Sequence, residues 1–414
     1  MDNSFILKHK DENVALITLD QIGSALLSYK SIAPELSPYL GNSDLKKMKT
    51  WWMSRAVPGS RETMLEIVRN AECVTNQEYL AKNLGLSMTD SYWICPVDND
   101  LKWNDVRLRS QKEVYSGVLP YHNASSYDPN AALGGQMDKY WDLQNEAPVL
   151  IKTATAYFGQ QAINEEFASY FHKLQKGKVP YVHYGIIQRE VDNALQCMCE
   201  AFTTDDIEFV PAYEVIESAK QPNDMSIFEF YIDICVKHGL NYEMICEYMD
   251  YQTLSDFVIS NVDEHLQNFG LLRDANTMEL ICPAPIFDSG NSMYYSEAPG
   301  AAYSRAEILD RKITGMFNKE EKMISHVNNR KIIELDRLPS PSEVKDFYAN
   351  RGIPEQKAEY IMNNYDTKVH LLSDFQQGLT ISYYSEKKAE QADKSLTRED
   401  ISEAVALVRK NKGR

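Results

Sequence analysis

Residues 257–270 read FVISNVDEHLQNFG and bring a carboxylate (Asp263), an imidazole (His265) and a carboxamide (Asn268) within six residues, at what reads as a helix end. Moving a phosphoryl group onto a hydroxyl needs a carboxylate that orients and deprotonates the nucleophile, with an oxygen donor for a divalent cation close beside it. Twenty residues after Asn268, the segment PAPIFDSG runs an apolar strand into Asp288 and then Gly290. Hard cations take carboxylate oxygens together with substrate phosphates, and Asp288 suits that role. Taken singly, the first segment also fits a polar helix C-cap and Asp288 an ordinary turn residue. At this distance from one another they favour the metal reading.

Upstream, NAALGGQMDKYWDL sets Gly134 and Gly135 just before a strand, where bare backbone N–H groups can approach phosphate oxygens closely. No G-K-[ST] and no helix follow, so this is not a Walker A loop, and a tight hairpin reads the same way. Lys152 sits inside the apolar strand VLIKT, where an unpaired ammonium is costly. Glu165, early in the amphipathic segment NEEFASYFHKL (164–174), can pair with it, and the two could hold the α/β-phosphates of a nucleotide. A snorkelling edge-strand lysine is the alternative. Glycine loop, strand lysine, helix glutamate, Asp/Asn pair and metal Asp follow one another in the order in which a protein kinase uses them. The Asp263-to-Asn268 spacing equals that of H-R-D-x-x-x-x-N.

The elements that must position these groups change character along the chain. Its 414 residues, 43% hydrophobic and 25% charged, correspond to roughly two or three globular domains of about 150 residues. Residues 1–115 read as an αβ subdomain: strands in FILKH and NVALITL, a helix over 61–70, and two short helical pieces around Gly85 within 75–90. That last segment resembles a helix-turn-helix, but nothing basic follows on its second helix, so a plain helical pair is preferred. After a Ser/Asn/Pro/Tyr-rich junction, residues 116–204 read as strand-rich (KYWDL, VLIKTAT, VHYGIIQRE, ALQCMCEAFT) with one helix at 164–174. Residues 205–414 read as mostly helical, ending in a charged tail.

With 43 basic and 60 acidic residues the net charge is −17, which disfavours autonomous nucleic-acid binding and anionic membranes. Seven scattered cysteines, with only Cys197 and Cys199 close together, point to reduced thiols rather than disulfides or zinc. The N-terminus is broken by charge after three apolar residues, and no run of about 18 apolar residues occurs. A cytoplasmic protein with no membrane partner is expected.

These motifs resemble the HipA-like serine/threonine kinases, the toxin family of bacterial toxin–antitoxin modules and its solitary relatives, most clearly over residues 131–293. Gly134, Gly135, Gln136 and Lys139 resemble the family's G-x-Q-x-K loop, with Met137-Asp138 shifted relative to it. Ile151-Lys152 resembles its nucleotide-binding lysine strand and Asn164-Glu165 its N-E helix start. Cys199-Glu200-Ala201-Phe202 resembles its E-R-F hinge, whose backbone would bind adenine. Asn261 to Asn268 matches N-x-D-x-H-x-x-N, and Phe287-Asp288 its metal-binding aromatic–Asp pair. The resemblance implies an α+β, bilobal protein-kinase-like fold with a β-rich N-lobe, a helical C-lobe and an N-terminal αβ subdomain. It also implies ATP and Mg²⁺ as cofactors, a protein Ser/Thr substrate, growth inhibition through a translation component, and an antitoxin partner. In that scheme Asp263 is the base with His265 beside it. Asn268 and Asp288 hold Mg²⁺, Lys152 with Glu165 holds phosphates, and Glu200 and Phe202 form the hinge. The chain departs from the family at Gln267, often Lys there, and in lacking a serine in NAALGGQMDK for the self-inhibitory phosphorylation; Ser125 and Ser126 are the nearest. A small-molecule phosphotransferase and a catalytically silent nucleotide- or DNA-binding module are the competing expectations.

Overall fold

The computed structural model describes residues 3–58, 71–110, 127–135, 137–144 and 147–392. Gln136, the expected helix at 61–70, Ser125, Ser126 and the charged tail beyond residue 392 lie outside the described residues. The chain divides into two compact units, Met1–Tyr248 with Glu264–Asn291, and Met249–Asp263 with Ser292–Arg414.

Among the described residues the first unit contains three antiparallel sheets. Strands β1 (Ser4–His9), β2 (Glu12–Leu19), β3 (Leu26–Ser31) and β4 (Tyr92–Pro96) pair in the order β3-β2-β1-β4. Alternation along β2 buries Val14, Ala15, Ile17 and Leu19 in a core shared with Trp51 and Trp52 of helix α1 (Leu45–Arg55) and with Tyr79 of α2 (Asn76–Lys82). That core extends to Leu133 and Trp141, so the segment entering the glycine pair is anchored in it. Around Gly85 the structure corrects the sequence reading. Leu84 (φ +54°) and Gly85 (φ +66°) stop the helical path after α2, and residues 86–90 are not helical. The Thr89 carbonyl instead accepts the Phe209 N–H at 2.8 Å. The helical pair, and with it a helix-turn-helix, is absent.

The second sheet joins β5 (Asp138–Asp142), β6 (Val149–Ala154), β7 (Gly185–Gln188) and β8 (Leu195–Glu200) in the order β5-β6-β8-β7. Helix α3 (Gln160–Leu174) packs on it, with Ala162 sharing a core with Ala154 of β6 and Cys197 and Cys199 of β8. It begins about one turn before the expected Asn164, because Gly159 supplies a left-handed N-cap (φ +74°) where a Cβ would meet Leu195. The third sheet, in the order β11-β10-β9, holds β9 (Ile207–Pro211), β10 (Gly270–Asp274) and β11 (Leu280–Pro283). β9 is a strand inside text that reads as helical. Its pairing needs Gly270, where a Cβ would collide with the Val210 carbonyl, and β10 thereby fixes the exit of the segment carrying His265 and Asn268. Glu208 of β9 is fully buried and accepts hydrogen bonds from Arg273 Nε and Nη2 (3.0 and 2.6 Å) and from the Ser91 N–H (2.7 Å), with His9 Nε2 at 2.8 Å. Helices α4 (Ala212–Glu217) and α5 (Ile227–Lys237) follow.

The second unit is helical. It takes in most of α6 (Tyr242–Ile259) and contains α7 (Arg305–Leu309), α8 (Glu320–Ile324), α9 (Pro341–Ala349) and α10 (Glu355–Gln376). Capping boxes Ser304/Glu307 and Ser340/Glu343 start α7 and α9. Among the described residues no helix is long and apolar enough to cross a membrane.

Candidate active site

One cavity of about 460 Å³ in the first unit gathers most of the residues singled out from the sequence, and its size suits a small-molecule site. Gly134, Gly135, Lys139, Lys152, Glu200, Phe202, His265, Asn268 and Asp288 all line it. Glu165 does not line it but supports it from behind, and Gln136 is outside the described residues. Asp263 belongs to the second unit, where it is half-buried. There its N–H donates to Asn261 Oδ1 (3.3 Å) and its backbone bridges to Thr314.

The strand register explains the cationic end of the cavity. Lys139 of β5 and Lys152 of β6 are direct partners across the antiparallel pair, so both side chains leave the sheet on one face. Two ammonium groups opposite each other are unfavourable unless anions face them. The counter-charge nearest Lys152 is supplied from two other elements: its Nζ donates to Glu165 Oε1 of α3 and to Asp288 Oδ1, each at 2.5 Å. Lys152 is 2% exposed and Glu165 fully buried, and the ammonium also lies 4.9 Å from the Tyr184 ring centroid. Burial works against the Lys152 charge, but Asp288 and Glu165 outweigh it and hold the ammonium well above its ordinary pKa. Burial would likewise raise the Asp288 carboxyl. The Lys152 cation, then Lys139, with His265 further on, instead keeps it well below the carboxylate range.

Asp288 is held in a left-handed backbone conformation (φ +63°), which Asp tolerates better than most residues and which is found where a site constrains the chain. The residues on either side impose it. Before it, Ile286 forms a parallel bridge with Tyr181, with Val182 N–H to Ile286 O and Ile286 N–H to Pro180 O both at 2.9 Å. Phe287 packs in a three-ring cluster with Phe202 and Phe209, at centroid distances of 5.3 and 5.5 Å. After it, Glu165 Oε2 accepts the Ser289 N–H (2.9 Å), Asn164 Nδ2 donates to Gly290 O (2.8 Å), and Gln161 Nε2 donates to Asn291 Oδ1 (2.7 Å). Gly290 passes so close to α3 that a Cβ would lie 3.3 Å from Gln161 O.

At the other end, Ala201 continues β8 by donating its N–H to Pro148 O (2.9 Å), and Glu200, Ala201 and Phe202 line the cavity there. Asn268 is buried, and its N–H closes a turn on His265 O (2.8 Å). Sequence reasoning missed Tyr184, Phe209 and the N-terminal residues Trp51, Arg55 and Asp90, all of which line the cavity. Arg55 makes a bidentate pair with Asp90 (2.7 Å for both bonds) and sits 4.7 Å from the Trp51 ring centroid. The aromatic–arginine spacing in WWMSR was the only signal for that wall.

Asp288 and Asn268 offer the hard oxygen donors that Mg²⁺ takes, and Lys139 and Lys152 offer cations for phosphate. Among the described residues no group of three or more His, Cys, Asp or Glu could hold a metal by itself, so a cation here would need ligand oxygens as well.

No family model matches the chain. Over 151 residues, 35% of its length, it is 26% identical to the serine/threonine-protein kinase CtkA of Helicobacter pylori, and it spans 46% of that relative. The crystal structure of the Helicobacter pylori proinflammatory kinase CtkA aligns at a TM-score of 0.46 and 14% identity, over 58% of this chain and 96% of that one. A structure of the Shewanella oneidensis MR-1 toxin–antitoxin system, HipA with HipB and its operator DNA, matches at a TM-score of 0.50 and 11% identity, over 91% of this chain and 98% of that one. The chain therefore shares the fold of the Shewanella HipA structure, and over about a third of its length its sequence is similar to the serine/threonine-protein kinase CtkA.

Proposed function

We propose that this protein is an ATP- and Mg²⁺-dependent serine/threonine protein kinase of HipA-like type. The observation that carries the reading is the register of Lys139 against Lys152, two cations on one face of a sheet beside Asp288 and Asn268 in one cavity. A surface that concentrates positive charge next to hard oxygen donors suits a phosphate chain and its metal. Bound there, Mg²⁺ would neutralise charge on the transferring phosphoryl group, held by Asp288 and Asn268. Lys152, kept charged and in place by Glu165, would bind phosphate oxygens, and the glycine pair would present backbone N–H groups to them. The backbone of Glu200–Phe202 would bind the base. Asp263 would accept the proton of the acceptor hydroxyl at its carboxylate, with His265 beside it in the chain.

The wider role is proposed on likeness. The chain would act in the cytoplasm as a growth-inhibiting toxin on a cellular protein such as a translation component, with an antitoxin partner, as the Shewanella HipA structure contains HipB. The test is incubation of the full chain with γ-labelled ATP and Mg²⁺ in cell lysate. Label recovered as phosphoserine or phosphothreonine in protein is expected. Label confined to soluble metabolites would replace the reading with a small-molecule phosphotransferase.

A further inference from the structure

The second unit contains a line of side chains behind Asp263 for which the phosphotransfer scheme has no use. Helix α6 ends at Ile259, Ser260 turns in the left-handed region (φ +55°), and the Asn261 N–H donates back to Asp256 O at 2.9 Å. The Asn261 carboxamide then works in two directions. Its Nδ2 donates to Asp256 Oδ1 (3.0 Å), and its Oδ1 accepts the N–H of Asp263 (3.3 Å). With Asp256 Oδ1 accepting from the amide nitrogen, the amide oxygen is left for the Asp263 N–H. From the other side the Thr314 N–H donates to Val262 O at 2.8 Å, bracketing the turn.

Asp256 is itself backed by charge. Lys368 of α10 is fully buried and donates to Phe257 O (2.7 Å) and to Glu320 Oε2 of α8 (2.5 Å), and both Lys368 and Glu320 are charged neighbours of Asp256. Lys368 of α10, paired with Glu320 of α8, is thus tied to α6 at the residue after Asp256. We infer that Asp256 is a positioning residue for Asp263, acting through the Asn261 carboxamide. The inference rests on the reading of Asp263 as the proton acceptor.

The variants separate positioning from bulk stability. Asp256→Asn keeps a carbonyl oxygen for Asn261 Nδ2 and leaves Lys368 and Glu320 balanced one to one, whereas Asp256→Ala and Asn261→Ala each break the link. With γ-labelled ATP and dephosphorylated casein as acceptor, each Ala variant of the full chain is expected to lose about 10- to 100-fold in kcat, as a misplaced reacting group does, with KM for ATP unchanged. The double variant should lose no more than either single one, because both remove the same link, and Asp256→Asn should restore most of the rate. Wild-type kcat in Asp256→Ala, additive losses, or equal losses in the Asn and Ala variants would overturn the proposal. Hydrogen exchange at residues 260–264 supplies a readout that needs no catalysis. Faster exchange in Asp256→Ala but not in Asp256→Asn is expected, and unchanged exchange would sink the proposal. If the wild type transfers no label while the exchange pattern holds, the base reading fails and the positioning of the turn stands.

Discussion

Lys152 Nζ lies 2.5 Å from Asp288 Oδ1, although 136 residues separate them in the chain. Glu165, on α3, touches the same ammonium through Oε1 and the backbone after Asp288 through Oε2, so one helix residue sets the distance between strand lysine and metal-binding candidate. Removing Lys152 leaves both carboxylates without their shared cation, whereas removing either carboxylate leaves the ammonium one partner.

Lys152→Met should therefore destabilise as well as inactivate. It leaves Glu165 and Asp288 facing each other across a buried space, and breaking a buried pair in this way costs about 3–5 kcal/mol. Thermal unfolding should show a clear drop in Tm, and adding Asp288→Asn to Lys152→Met should recover part of it by removing one carboxylate. A Lys152→Met chain as stable as wild type would contradict the geometry.

The two glycines of the loop should respond differently to the same methyl group. A Cβ at Gly134 meets nothing within 4 Å, whereas Gly135 has φ +84° and its Cβ would collide with Lys139 Nζ. Left-handed strain in a residue with a Cβ costs roughly 1–2 kcal/mol. Gly135→Ala should weaken ATP binding by about 5- to 30-fold on that basis, with Gly134→Ala close to wild type. Titration of a fluorescent ATP analogue checks both, and equal effects would remove the distinction.

Glu208 is one source of acid sensitivity in the first unit. Burial would raise its carboxyl pKa, but Arg273 and His9 hold it well below the carboxylate range. A depressed folded-state value contributes stability that is present above the unfolded value, about 4.3, and is lost as pH falls through the folded one. Glu208→Gln should thus be destabilised near neutrality by about 3–5 kcal/mol, and the gap to wild type should begin to narrow below about pH 4 and keep narrowing as pH falls towards the folded-state value. Urea unfolding across that range measures it; a gap independent of pH would contradict the assignment.

How much of this was legible in the sequence depends on the range of the cause. The segments KYWDL, VLIKT and ALQCMC read as strands because their apolar content and turns are local, and Lys152 stood out because an ammonium within an apolar run needs partners. Asp263, His265 and Asn268 were visible as a spacing. The turn at Leu84–Gly85 was misread as a helical link because both residues adopt positive φ and hand the next segment to a distant strand at Phe209. β9 was hidden for a similar reason: IEFVP is a strand only because Gly270, far along the chain, lets it approach. The Arg55–Asp90 wall and the Asp256–Asn261 link are set by tertiary contacts that carry no periodic signature.

The proposed function gives Asp263 the role of base and Asp288 that of a metal-binding carboxylate, and each role can be tested separately. The most direct measurement is initial-rate transfer from γ-labelled ATP to protein, comparing wild type with Asp263→Asn and Asp288→Asn. Asn is close in shape to Asp and, at 288, tolerates the left-handed backbone, so both variants should remain folded. Turnover is expected to fall by at least about 100-fold in each, with raised Mg²⁺ demand only in Asp288→Asn. Label transfer at the wild-type rate in the folded Asp263→Asn protein would contradict the account.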